Sequence, residues 1–81
     1  MNTMIEVKNL KIDNNLVFFD YRSDLDDNFK KMTYNIETDE IIESEEEMSN
    51  SKLNCIYHAI KEIKKQIKSN RLQNEFKKMW Y

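Results

Sequence analysis

Glycine and proline are both absent from this 81-residue chain, and cysteine occurs once, as Cys55. Without glycine, no glycine-rich phosphate loop can form. Turns that need a positive φ must then use Asn or Asp, and ten asparagines are present. We expect turns at Asn14, Asn15, Asn50 and Asn70. A single cysteine cannot close an internal disulfide, so the sequence predicts a fold that does not depend on oxidation.

Long apolar runs are also missing. No basic start is followed by an apolar segment, and no apolar stretch approaches the length of a membrane span, so the sequence predicts neither a signal peptide nor a transmembrane helix. We therefore expect a cytoplasmic protein. The short chain favours a single domain at residues 1–81, with a β-meander at residues 1–48 and a helical part at residues 49–81.

The first half of the chain shows the alternation typical of β-strands. Met4–Ile12 alternates apolar and polar residues, but the phase slips at Lys8-Asn9, which predicts a bulged strand or two short ones. Leu16–Arg22 is apolar on both faces until Asp20, the pattern of a central strand.

Two further strands are predicted after a polar loop at residues 23–28. Phe29–Ile36 alternates apolar and polar residues, as a half-buried strand does. A tight reversal at Glu37–Asp39 leads into Glu40–Ser44, with Asp39 in the left-handed position that glycine usually fills. The expected sheet is an antiparallel meander of three or four strands.

The strongest periodicity predicts an amphipathic helix over about residues 52–69. Ser49, Asn50 and Ser51 supply N-cap residues before it. Apolar residues then recur at helical spacing, at Leu53, Ile56, Ile60, Ile63 and Ile67. We expect this C-terminal helix to pack across the sheet, which gives an α+β fold.

A short helical tail is expected to follow. Ser69-Asn70 favours a break in the helix. A second apolar stripe, rotated from the first, continues at Leu72, Phe76, Met79 and Trp80. We expect this stripe to form a short second helix that packs back on the core, with Trp80-Tyr81 closing it.

Charge is divided unevenly along the chain. Residues 1–51 carry five basic and thirteen acidic side chains, a net charge of −8. Residues 52–81 carry eight basic and two acidic side chains, a net charge of +6. This asymmetry predicts either mutual attraction within the fold or two surfaces for different partners.

Seven of the acidic residues fall within residues 37–47, "ETDEIIESEEE". The last three lie just before or within the first turn of the predicted helix, where the helix dipole favours negative charge by about 0.3–1 kcal/mol per group. The run is therefore either a solvated turn or a functional anionic surface. In the second case its charge density would suit a nucleic-acid-binding protein, as a DNA mimic. The candidate partner-binding residues are Asp24, Asp26, Asp27, Glu40, Glu43, Glu45, Glu46 and Glu47.

Two other functions are compatible with the sequence. The basic second half is either the hydrated side of an amphipathic helix or a surface that contacts phosphates. The candidate nucleic-acid-binding residues are Lys61, Lys64, Lys65, Lys68 and Arg71. In the third alternative, the isoleucine stripe and Trp80 join two copies of the chain in a homodimer.

Patterns typical of catalysis or metal binding are weak. Cys55 and His58 could share a metal ion, but no second pair completes a tetrahedral zinc site. No motif supplies an orienting group or an oxyanion hole for a cysteine nucleophile. The acidic loop at residues 24–27 lacks the glycine and the final glutamate of an EF-hand. We therefore expect no cofactor, no metal and no enzymatic activity.

The segment Tyr34–Glu43, "YNIETDEIIE", is followed by an amphipathic helix in a small acidic chain. This combination resembles small phage-encoded proteins of Gram-positive hosts, some of which are anti-CRISPR proteins. The group shares no motif, so the resemblance assigns no functional residue. It implies a stoichiometric inhibitor in the host-cell cytoplasm, which docks on a nucleoprotein nuclease such as a CRISPR effector and occupies a site meant for DNA.

Overall fold

A computed structural model describes residues 3–24 and 26–80 and shows an α+β fold. The described residues form one five-stranded antiparallel sheet and one helix. In chain order the elements are β1 (Thr3–Asp13), β2 (Leu16–Ser23), β3 (Lys30–Asn35), β4 (Glu40–Ser44), α1 (Asn50–Lys68) and β5 (Phe76–Trp80). The strand order is β4-β3-β2-β1-β5. The first four strands are thus the predicted meander, with β2 in the predicted central place, and β5 adds to β1 after α1 has crossed one face.

The irregularity predicted in the first strand is a bulge that keeps its apolar residues on one face. Pairing with β2 shifts register between Lys8 and Lys11, and Asn9 between them has φ 55°. The extra residue reverses the alternation. Ile5, Val7 and Leu10 are consequently all buried on the side of the helix, although their spacing places Leu10 out of phase.

Turn chemistry follows from the absence of glycine. Asn14, Asp39 and Asn70 have φ values of 56°, 56° and 57°, so asparagine and aspartate take the left-handed positions, as predicted. Asn15 lies in the same turn as Asn14, and Asn50 is the first residue of α1. Ser49 is the N-cap, and its side chain accepts a hydrogen bond from the Lys52 N–H at 3.3 Å.

The predicted break after the long helix is confirmed, but the helical tail is wrong. Phe76–Trp80 form β5, so α1 is not C-terminal and the sheet has five strands rather than three or four. Phe76 and Trp80 are four residues apart, a spacing that puts two side chains on one side of either a helix or a strand. The segment is a strand and not a helix because β1 has an open edge. Residues 76–80 pair with that edge in antiparallel register, from Val7↔Phe76 to Thr3↔Trp80.

The two faces of the sheet differ in what covers them. One face packs against α1, which lies nearest β1 and β5 and buries Ile56, Ile60 and Ile63 there. These isoleucines are used inside the chain, so they are not available as the surface of a homodimer. The other face carries alternating charges across the strands. Glu6 lies between Arg22 and Lys77 in register, and such cross-strand pairs suit a hydrated face.

Candidate functional site

Asp26 and Glu46, two of the eight predicted partner-binding acids, lie inside an ion cluster (Tyr21, Asp26, Lys30, Glu46 and Lys52). The Asp26 carboxylate accepts hydrogen bonds from the Lys52 ammonium and from the Ser23 N–H and hydroxyl at 3.0 and 2.9 Å. Glu46 accepts from the Tyr21 hydroxyl at 2.7 Å and from the Lys30 and Lys52 ammoniums at 2.8 and 3.1 Å. Asp26 and Glu46 are therefore committed to intramolecular contacts.

Burial and hydrogen bonding act in opposite directions on the acids of the ion cluster. Burial of the Asp26 carboxyl raises its pKa, but the hydrogen bonds from Lys52 and Ser23 outweigh burial and hold the pKa well below its usual range. The pKa of Glu46 is lowered by the same balance, with Lys30 as its strongest donor. Burial and the bond to Glu46 both raise the pKa of Tyr21. At neutral pH the ion cluster thus contains two carboxylates, two ammoniums and a neutral phenol.

The ion cluster ties three separate segments together. Asp26 belongs to the loop between β2 and β3, Glu46 follows β4, and Lys52 lies in the first turn of α1. No buried side-chain nitrogen or oxygen among the described residues lacks a hydrogen-bond partner. Because Lys52 contacts both Asp26 and Glu46, the acidic loop lies beside the acidic segment that precedes the helix.

The remaining six predicted acids form what we call the acidic rim, at one edge and one end of the sheet. All are exposed, and none forms an ion pair within the described part of the chain. They are Asp24, Asp27, Glu40, Glu43, Glu45 and Glu47.

One strand, the segment that follows it and the loop between β2 and β3 position the acidic rim. Glu40 and Glu43 lie on the edge strand β4, opposite Asn35 and Thr33. Glu45 accepts a hydrogen bond from the Lys31 N–H at 3.1 Å. The first turn of α1 contains no acidic residue, and the helix-dipole effect falls off within one turn. The dipole therefore does not account for these charges.

Of the five predicted nucleic-acid-binding residues, one is in an ion pair and four are not, within the described part of the chain. Lys64 forms an ion pair with Asp39 at 2.5 Å, next to the turn between β3 and β4. The other four are exposed and form no ion pair with any described residue. We call these the basic face: Lys61, Lys65, Lys68 and Arg71.

The uneven distribution of charge along the chain is only partly compensated by ion pairs within the described part of the fold. β4 and β5 are the opposite edges of the sheet, and α1 lies nearest β1 and β5. Among the described residues, Lys52 and Lys64 are the two cations of the second half that pair with acids of the first half. Attraction within the fold therefore neutralises only part of the charge, and within the described residues the acidic rim and the basic face form no ion pair with each other.

A stacked pair of rings that the sequence did not predict lies beside the basic face. The His58 imidazole and the Trp80 indole stack with centroids 4.1 Å apart and an interplanar angle of 18°. Burial and the nearby Lys61 and Lys78 ammoniums lower the pKa of His58. Trp80 packs partly buried against the core, as expected of a closing residue, whereas Tyr81 lies outside the described residues. No local pattern links His58 to Trp80, because the contact depends on the pairing of β5.

The groups that could support chemistry are dispersed. Cys55 is a buried thiol whose pKa is raised by burial, and His58 is turned toward Trp80. No set of three or more His, Cys, Asp or Glu residues within the described ranges is arranged to hold a metal ion. In the predicted acidic loop, Asp26 is held by Lys52, and Leu25 lies outside the described residues.

Comparison with known proteins adds no further identification. No protein-family model, no curated protein and no solved structure matches the chain significantly. No helix in the described part of the chain has the length and apolar character that crossing a membrane requires.

Proposed function

We propose that the protein is a non-enzymatic, anti-CRISPR-like inhibitor, encoded by a phage, that binds a nucleic-acid-handling complex of the host through the acidic rim. The observation that carries this proposal is a set of six exposed carboxylates without a cationic partner among the described residues. Like charges held together on a small surface repel one another. A basic partner would relieve that repulsion.

The expected binding mode follows from where the acidic rim lies. Its carboxylates extend along β4 and around the adjacent end of the sheet, so they could follow a cationic channel as a phosphate backbone does. Complementary charge of this kind mainly accelerates association and suppresses wrong partners. Because exposed charges are screened over about 8–10 Å at physiological ionic strength, binding should weaken as salt concentration rises.

The test is a triple charge reversal, Glu40→Lys, Glu43→Lys and Glu47→Lys, chosen because none of these side chains is in an ion pair with a described residue. We expect this variant to lose capture of a nuclease or CRISPR effector from nuclease-treated host lysate, identified by mass spectrometry. The fold should persist, because surface substitutions away from special features usually change stability by no more than about 0.5 kcal/mol each.

The matched control reverses the same number of charges on the basic face, at Lys61, Lys65 and Lys68 to Glu. If the acidic rim is the binding surface, this control still captures the partner with its affinity little changed. Equal capture by the rim variant and the unaltered protein would rule out the proposal.

The basic face supports a second candidate function, nucleic-acid binding. Its four cations are exposed and unpaired within the described residues, although Lys64 is committed to Asp39. The same experiment separates the two candidates. Proteins that are captured only without nuclease treatment, and are lost when Lys61, Lys65 and Lys68 are reversed, would favour the basic face and a phosphate-contacting role.

A further inference from the structure

The two edges of the sheet are not equivalent. At β4, the register shifts between Tyr34 and Thr33, so Ile42 is an extra residue that interrupts the ladder. Bulges of this kind protect an edge from further pairing. The pairing of β5 with β1 runs without a shift from Val7↔Phe76 to Thr3↔Trp80. On its outer side β5 has no neighbouring strand among the described residues, so the regular edge from Phe76 to Met79 offers main-chain donors and acceptors to another strand.

A cleft of about 410 Å³ runs between α1 and this edge of the sheet. Its charged lining is Lys61, Glu62, Lys65 and Lys78, and His58, Met79 and Trp80 complete it. Glu62 accepts hydrogen bonds from Lys78 at 3.4 Å and from the Gln66 amide at 3.1 Å. Glu62, the one acid among the described residues that line the cleft, is therefore neutralised by Lys78, which leaves Lys61 and Lys65 as positive charges without an ion-pair partner among those residues.

We propose that the outer edge of β5 is a docking site for an extended, acidic segment of a partner protein, which adds to the sheet as a sixth strand. This site is distinct from the acidic rim and does not depend on the function proposed for the rim. In strand addition, main-chain hydrogen bonds supply affinity and alternate side chains supply specificity. Here one set of side chains would face Lys61 and Lys65, and the other set would lie beside Lys77 on the opposite face.

Charge complementarity selects this occupant. Lys77 and Lys78 lie in β5 itself, and lysine on an edge strand discourages pairing between two copies of the same edge. An acidic strand meets no such repulsion. A β4 strand from a second copy would carry acidic residues, but its bulge at Ile42 interrupts regular pairing. A nucleic acid could contact the lysines, yet it would leave the β5 amide edge unused.

Trp80 is an intrinsic fluorescence probe for this edge, because it is the only tryptophan in the sequence and lies in β5. The ligand to use is a short synthetic peptide in which Glu alternates with Thr or Val. We expect a saturable change in tryptophan emission on titration at low salt. The substitutions Lys61→Gln and Lys65→Gln together should weaken binding about fivefold to tenfold. A control with Lys11→Gln and Lys68→Gln removes the same charge elsewhere and should bind as the unaltered protein does.

Two N-methylated peptides test the main-chain pairing itself. One is methylated at the odd amides and the other at the even amides, because only one edge of an added strand faces the sheet. We expect one peptide to lose binding and the other to retain it. Equal binding of the two would overturn strand addition. So would the absence of any change in emission with peptide, or binding of an oligothymidylate in its place, which would identify a phosphate site.

Discussion

Asp26 and Asp27 are neighbours in the chain with opposite surroundings. The Asp26 side chain is 6% exposed and contacts Lys52, Lys30 and Ser23. Asp27 is exposed and forms no ion pair with a described residue. The two side chains are chemically identical, so sequence alone places both among the candidate binding residues. Their roles differ because Lys52, 26 positions along the chain, folds back onto only one of them.

Asp26→Asn should therefore destabilise the protein, whereas Asp27→Asn should not. Removing one member of a buried ion pair leaves the other charge uncompensated and typically costs about 3–5 kcal/mol. For Asp26 we expect a loss near the lower limit, about 3 kcal/mol, because Glu46 still contacts Lys52. Asp27→Asn should change the free energy of unfolding by less than about 0.5 kcal/mol. Urea unfolding of both variants measures the difference.

The pH dependence of that difference tests its electrostatic origin. The pKa of the Asp26 carboxyl is lower in the folded protein than in the unfolded chain, so its contribution is fully present above the unfolded pKa of about 4. The contribution is lost as pH falls from there toward the folded pKa. The gap in stability between Asp26→Asn and the unaltered protein should consequently shrink below about pH 4. A gap that stays constant would show that packing, and not charge, is responsible.

At the scale of elements, the end of α1 determines where the chain turns back toward the sheet. The Asn70 N–H bonds to the Ile67 carbonyl at 3.1 Å, and the Arg71 N–H bonds to the Gln66 carbonyl at 2.9 Å. With Asn70 at φ 57°, this is a Schellman motif that uses asparagine in the usual place of glycine. The Gln66 side chain also accepts a hydrogen bond from the Gln73 N–H at 3.0 Å, which fixes the connection to β5.

Substitution of Asn70 should affect stability according to backbone freedom. Asn70→Gly should stabilise the protein by about 0.5 kcal/mol, since glycine adopts the left-handed region without steric cost. Asn70→Ala should destabilise it by about 1 kcal/mol, because a Cβ without a polar group is unfavourable there. Thermal or urea unfolding gives both values. As a control, Asn54→Ala within α1 should be neutral or slightly stabilising, and a similar loss there would refute the assignment to φ.

At the scale of the whole molecule, one core holds the helix and the strands together. Cys55 is buried in this core with Ile56 and Ala59, on the face of α1 that meets the sheet. Its thiol has no disulfide partner. Exposure of Cys55 therefore requires α1 to leave the sheet.

The reactivity of Cys55 with a thiol reagent should report unfolding of the whole chain. In native buffer we expect the labelling rate of Cys55 to equal about the rate of a free thiol multiplied by the equilibrium constant for unfolding. Addition of urea should accelerate labelling in parallel with the loss of helical circular dichroism. Asp26→Asn should label faster, by the factor by which the substitution raises the equilibrium constant for unfolding. Immediate labelling of the native protein would show that α1 opens independently of the sheet.

Periodicity and turn chemistry determined much of this protein from sequence alone. The meander, its bulge, the helix and its break all depend on contacts between near neighbours in the chain, which local patterns report. Charge composition likewise determined that an acidic and a basic half exist. Local turn and capping chemistry also predicted the left-handed conformation of Asp39 and the N-cap at Ser49.

Only the tertiary structure decided which charges face outward and what the last residues become. Asp26 and Glu46 are internal because Lys30 and Lys52 reach them from other elements. The segment at residues 76–80 is a strand because β1 offers an open edge to pair with. Both outcomes depend on partners distant in sequence, whose free energy of interaction exceeds local propensity. The acidic rim and the edge of β5 consequently emerge as surfaces only when the chain is folded.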